Sequence, residues 1–410
     1  MTLFEVIALL ITLTAVFSYI NFSYLHLPTT IGVMLISLLL SLLLIIFRGI
    51  GLDFTQYARQ ILTQIDFNQV LMQGMLSYLL FAGALHVNLE DLARQKWLIG
   101  TLATIGVLIS TFFTGSAIWI ISGWFDLGIT YIYCLLFGAL ISPTDPIAVL
   151  SILRSAGAPK SLEIKITGES LFNDGVGVVV FILISGIAIG GEAITAGSVI
   201  KLFLDEAVGG IFFGILLGFI TYRMLARVDN YQVEILLTLA LVTGGYALAT
   251  AIHVSGPIAI VVAGLMIGNH GRMLAMSDLT REHLDTFWEL IDEILNAVLF
   301  VLIGLEVLVI QMNFSLLMAG FISVIIVLSG RFISVALPIA YFRKYREITP
   351  HAVKILTWGG LRGGISVALA LSLPAGPERD VLLTITYVIV IFSILVQGLT
   401  IGKLIRYASK

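Results

Sequence analysis

Apolar runs of about 20 residues recur along the whole chain with little between them, and each is long enough to cross a bilayer as one helix. Lipid offers the backbone no hydrogen bonds, so spanning segments fold as helices or as a closed barrel. Runs of this length select helices. They cover residues 3–20, 29–47, 69–87, 97–121, 129–152, 164–190 and 203–225, then 231–252, 255–269, 286–310, 314–342, 350–373 and 381–405. The expectation is an all-α polytopic membrane protein with thirteen transmembrane helices and no separate soluble domain. Composition agrees: 59% of the 410 residues are hydrophobic and 11% are charged, against about 25% charged in soluble domains. The lone cysteine, Cys134, can form no intrachain disulfide and reads as packing. No positive leader precedes the first span, since the first basic residue is Arg48.

Lysine and arginine set the orientation. With the N-terminus outside, sixteen of the 22 fall on the cytoplasmic side and four on the outer side, with Arg331 and Arg362 inside spans. That asymmetry predicts N-out and C-in, and it fails if the number of spans is wrong by one. The expected residence is a plasma (inner) membrane.

Two spans carry helix breakers. The fifth holds Ser142-Pro143-Thr144-Asp145-Pro146, where the prolines remove backbone hydrogen bonds. The twelfth holds Trp358-Gly359-Gly360-Leu361-Arg362-Gly363-Gly364. Irregular backbone at membrane depth is tolerated where it is buried in protein or lines a cavity. If spans 1–6 and 8–13 are two inverted six-helix repeats joined by span 7, the breaks are equivalent. Paired breaks of this kind point to a transporter binding site.

Beside them stands Gly168-Glu169-Ser170-Leu171-Phe172-Asn173-Asp174-Gly175, at the head of an uncharged run. Positions 169 and 173 lie one helical turn apart, as do 170 and 174, giving two adjacent oxygen-bearing stripes. A carboxylate at bilayer depth costs at least roughly 2.5–3.5 kcal/mol, so each acid is expected to be paired, to titrate or to hold an ion. Glu169 and Arg362 read as a structural ion pair. Arg331 reads as a donor to broken-helix carbonyls. Asp174 is left without a basic partner, and Asn173 beside it is neutral. An unpaired carboxylate there gains from a proton or from a bound cation. The two compete for one group, which is the minimum that exchange requires. Thr144, Asp145 and Ser170 can add hard oxygen ligands, which suit Na⁺ or Li⁺. One acid carrying one proton or one Na⁺ has the same charge in both loaded states, which predicts one-for-one, electroneutral exchange. The segment from His270 to Glu293 is polar and reads either as a solvated interfacial stretch or as an acidic rim that gathers cations.

These motifs resemble the monovalent cation:proton antiporter-1 family, the NhaP-like and NHE-like Na⁺/H⁺ exchangers. The matching stretches are Ser142–Pro146, Gly168–Gly175, His253–Pro257 through Asn269, Leu299–Glu306, Gly330–Val335 and Trp358–Gly364. The resemblance implies a homodimer, with a dimerisation domain of about residues 1–92 and 200–310. It implies a mobile core of about 93–199 and 311–410 in which the broken helices cross. It assigns Asp174 to ion and proton binding, Thr144, Asp145 and Ser170 to ion coordination, and Glu169 to the pair with Arg362. Asn173 is the neutral member found in electroneutral relatives. One departure is Ala82, where many relatives carry an acid.

The function expected is secondary antiport of Na⁺ (or Li⁺) for H⁺ by alternating access, with no cofactor and no enzymatic activity. K⁺/H⁺ antiport by the same mechanism is the nearest alternative. A cation channel would need a filter that is missing from the sequence. An intramembrane aspartyl protease would leave the paired breaks unexplained.

Overall fold

The computed structural model describes residues 3–49, 70–145, 149–150, 153, 158–190, 197, 204–308, 313–344 and 350–408. Pro146 and the loop residues Arg59, Arg154, Lys201 and Arg346 lie outside the described residues. The helices are α1 (Phe4–Leu25), α2 (Thr29–Phe47), α3 (Val70–Leu85), α4 (Leu89–Trp124), α5 (Tyr131–Ile141), α6 (Lys160–Ile189) and α7 (Leu204–Leu225). There follow α8 (Tyr231–Ala251), α9 (Gly256–Ala275), α10 (Asp278–Glu306), α11 (Phe314–Phe342), α12 (Ala352–Trp358), α13 (Gly364–Leu371) and α14 (Pro377–Tyr407). Among the described residues nine of these are long and apolar enough to cross a membrane. Helices α3 and α5 are apolar but shorter. Helix α10 carries acids through its first half, which lowers its hydropathy. Helix α9 runs to Ala275, beyond the apolar run 255–269 expected for it.

Polar side chains start several helices. Asn88 accepts from the backbone N–H groups of Glu90 and Asp91 at the head of α4. Asn230 does the same for α8, and Ser277 accepts from Thr280 at the head of α10. Each cap satisfies N–H groups that the first turn leaves without partners, an effect worth about 1 kcal/mol.

The packing brings the two helix breaks together. Helix α5 lies between α4 and α6, while α11 packs on α4, α12 and α14. Helix α10 packs on α2 and α3, and α9 packs on α7, α8 and α3. Helix α5 stops at Ile141, ahead of Pro143. The glycine-rich stretch after Trp358 separates α12 from α13. The two irregular segments meet in one antiparallel bridge, with Asp145 N–H donating to Leu361 O at 2.8 Å. Close approach depends on missing side chains. A Cβ on Gly177 of α6 would lie 2.3 Å from the Pro143 ring, and one on Gly138 of α5 would lie 2.1 Å from the Thr111 carbonyl of α4.

The α4–α5 contact has no room for a methyl group. Gly138→Ala is expected to destabilise the protein by about 1–3 kcal/mol, as overpacking of a tight interior does. The midpoint of thermal unfolding in detergent reads the effect, with Gly123→Ala, where a Cβ meets nothing within 4 Å, as the neutral control.

Candidate functional site

Each broken helix ends on carbonyls that its own turn cannot satisfy, and two arginines answer them. Arg362, 2% exposed, sends Nη1 to the carbonyls of Ser142 (2.6 Å) and Pro143 (2.8 Å), while its backbone N–H donates to Ser393 Oγ at 2.9 Å. Arg331, from α11, sends Nε to the carbonyl of Leu356 in the last turn of α12, at 3.2 Å. Both guanidinium groups therefore stand where the partial negative charge of a helix C-terminus gathers. Gly360 gives Arg331 its room, because a Cβ there would fall 2.5 Å from Nε.

The same Arg331 holds Glu169. The contact is bidentate: Nη2 donates to Oε2 at 2.9 Å, and Nη1 donates to Oε1. This corrects the pairing expected from sequence, in which Glu169 faced Arg362. Arg362 lies within electrostatic range of Glu169, but its bonded guanidinium nitrogen, Nη1, is turned to the Ser142 and Pro143 carbonyls, and Nη2 has no hydrogen-bond partner among the described residues. The two arginines thus exchange the roles expected of them, although Arg331 also keeps one carbonyl. The reason is geometric. Arg331 projects from a continuous helix beside α6, whereas Arg362 sits inside the break and reaches the backbone opposite.

The remaining candidates form one cluster. Thr144 lies on the unwound segment with its hydroxyl 2.9 Å from Ser170 Oγ. Asn173 grips the same threonine twice: Nδ2 donates to Thr144 Oγ1 at 2.8 Å, and Oδ1 accepts from Thr144 N–H at 3.2 Å. Sequence spacing put 169 with 173 and 170 with 174, and the structure uses 170 and 173 together to fasten the break to α6. Asp145 packs against Gly363, where a Cβ would lie 2.2 Å from its Oδ2. Asp174 is 6% exposed. Its carboxylate has no hydrogen bond or ion pair among the described residues.

Asp174, Asp145 and Thr144 all line one cavity of about 660 Å³. Its other walls include Leu80 and Ala82 of α3 and Ser366 of α13. Towards one end stand Asp91, Lys160 and Glu163, and Lys160 pairs with Asp91 at 3.0 Å. Glu289, Asp292 and Glu293 of α10 also face the cavity. The acidic-rim reading of the 270–293 segment therefore fits its last turns. Its earlier part is knitted together instead, with Arg272 bonded to Asp285 and Arg281 to Asp278. Sequence reading passed over Asn296, which lines the cavity one turn beyond Asp292. Its position in an apolar run on the Asp292 stripe was the available signal.

Chemically, the site is a buried carboxylate, a second acid and the Thr144 hydroxyl on one cavity, with Ser170 and Asn173 bonded to Thr144 but not themselves lining that cavity. It can take up a proton or a hard monovalent cation. The chain is similar to known proteins along nearly its whole length. The family model described as "Sodium/hydrogen exchanger, transmembrane" matches residues 10–407. A Na⁺/H⁺ antiporter NhaP of Pseudomonas aeruginosa is 53% identical over 98% of this chain and 96% of its own length. The Na⁺/H⁺ antiporter NhaH of Halobacillus dabanensis is 35% identical over 92% of this chain and 91% of its own. The solved structure of the sodium proton antiporter MjNhaP1 from Methanocaldococcus jannaschii at pH 8 superposes with a TM-score of 0.76, over 99% of both chains at 21% identity, which shows a shared fold.

A double-mutant cycle separates the two arginines. Removing one partner of a buried pair strands the other charge and costs about 3–5 kcal/mol. Glu169→Ala and Arg331→Ala are each expected to lower stability on that scale, with a combined loss well below their sum. Glu169→Ala and Arg362→Ala are expected to add more nearly independently, since Arg362 is bound elsewhere. Unfolding midpoints of the five variants in one detergent check this.

Proposed function

The chain belongs to the sodium/hydrogen exchanger family, and from that premise we propose that it is a secondary antiporter exchanging Na⁺ (or Li⁺) for H⁺ at Asp174. The observation that carries the reading is the Asp174 carboxylate, almost fully buried, lining a cavity and lacking a charge partner among the described residues. Proton and cation bind it in turn. Asp145, Thr144 and Ser170 complete the oxygen shell, Asn173 orients Thr144, and the Glu169–Arg331 and Arg362–carbonyl contacts hold the frame.

The proposed topology has thirteen spans, with α12 and α13 as two halves of the twelfth, in two inverted six-helix repeats. Nine apolar helices, two shorter ones, the acidic α10 and the broken pair support that number. The N-terminus lies outside and the C-terminus in the cytoplasm of a plasma (inner) membrane, on the lysine and arginine bias. The cavity then opens inward, since Asn88, Lys160 and the head of α10 fall on the cytoplasmic side. A scaffold of residues 1–92 and 200–310 mediates a homodimer, and a core of 93–199 and 311–410 moves against it to give alternating access.

One buried acid that carries either ion moves no net charge per cycle, and the neutral Asn173 adds no second proton. In proteoliposomes with an imposed pH gradient, Na⁺ or Li⁺ is expected to drive proton movement, and valinomycin with K⁺ on both sides is expected to leave the rate unchanged. Each unit of charge moved would add about 2.3 kcal/mol per 100 mV, so electrogenic exchange would respond clearly. Asp174→Asn is expected to abolish exchange and to leave the unfolding midpoint near that of the parent. Unimpaired transport by that variant overturns the assignment.

A further inference from the structure

We propose that Asp292 and Asn296 of α10 form a second binding site for the alkali cation, occupied on its way between the cavity mouth and Asp174. The inference rests on the antiport reading for its ligand and on separate geometry for its place.

Positions 289, 292, 296 and 299 fall on one stripe of α10, and all four residues line the cavity. Leu299 ends the stripe against α13, since a Cβ on Gly364 would lie 2.6 Å from its methyl carbons. The neighbouring Gly363 packs against the Asp145 carboxylate. The stripe therefore leads from the acidic end of the cavity to the helix break that carries the coordinating residues.

Asn296 makes the stripe more than an acidic cluster. It is 1% exposed. Its Nδ2 donates to the Asp292 carbonyl at 2.8 Å and to Asp292 Oδ1 at 3.1 Å. Both partners are acceptors, so the amide nitrogen is identified by its bonds and the other atom is the oxygen. That oxygen, Oδ1, is buried with no hydrogen-bond partner among the described residues. A buried acceptor without a donor is unfavourable. A desolvated cation satisfies it directly, and Asp292 supplies the charge beside it. One carboxylate and one amide oxygen are hard ligands suited to Na⁺ or Li⁺. A single negative charge and few protein oxygens make a site from which the ion leaves readily. Glu289 and Glu293 raise the local cation concentration outside it.

The test uses ²²Na⁺ binding to the full-length protein in detergent together with exchange in proteoliposomes. In Asp174→Asn the carboxylate proposed to exchange proton for Na⁺ is gone while Asp145 remains, and residual Na⁺ binding is expected. Adding Asn296→Ala to that background is expected to remove it. Asp292→Asn in the same background gives the same reading by a different side chain and serves if the alanine variant does not fold. In the otherwise unaltered protein, Asn296→Ala is expected to raise the KM for Na⁺ about tenfold, by more than it lowers the maximal rate, and Asn296→Ser, which keeps an oxygen, is expected to recover part of that loss. Folded Asp174→Asn protein that binds no Na⁺, or binding equal in the single and double variants, overturns the site. A parent protein that moves no protons on Na⁺ addition defeats the antiport reading instead, and the binding experiment still decides the second site.

Discussion

The structure depends on how two arginines satisfy backbone carbonyls at membrane depth. Breaking a spanning helix frees carbonyl groups where neither water nor lipid can bond them. Arg362 covers Ser142 and Pro143, and Arg331 covers Leu356. Each cation is in turn costly away from water. Arg331 is compensated by Glu169, and Arg362 by the converging carbonyl dipoles. Irregular backbone is thereby stabilised beside the cavity that Pro143, Thr144 and Asp145 line.

From this follows a division of labour among the acids. Glu169 is fully engaged by Arg331 and serves the frame. Asp174, five positions further on the same helix, turns to the cavity. Two carboxylates on one helix have different surroundings, because one meets a guanidinium and the other lines the cavity. The hydroxyls of Thr144 and Ser170 and the amide of Asn173 join the break to α6 through neutral bonds. They fix geometry there without adding charge.

Much of this was legible in the chain itself. Pro143 and the glycines from 359 to 364 mark the breaks, because proline lacks a donor and consecutive glycines weaken a helix. The spacing of Glu169, Ser170, Asn173 and Asp174 identified the polar helix face. The partner of Glu169 was not legible. Arg331 and Arg362 are both long, both mid-span and both within plausible reach, and the choice turns on helix rotation and on Gly360 clearing space for Arg331. Asp292 and Asn296 were hidden for another reason. Acids at the head of a helix read as interfacial, and only the packing of α10 against α3 and α13 shows which of them look inward.

The double grip of Asn173 on Thr144 has an implication for the hydroxyls around it. An aspartate at 173 would still accept from the Thr144 N–H but could no longer donate to the hydroxyl. Thr144 would have to reverse its O–H toward the new carboxylate, and Ser170 would have to become the donor to Thr144. The polarity of a short relay of hydroxyls would flip along with the added charge. The hydrogen-bond direction of the Thr144 and Ser170 hydroxyls is therefore set by the side chain at 173.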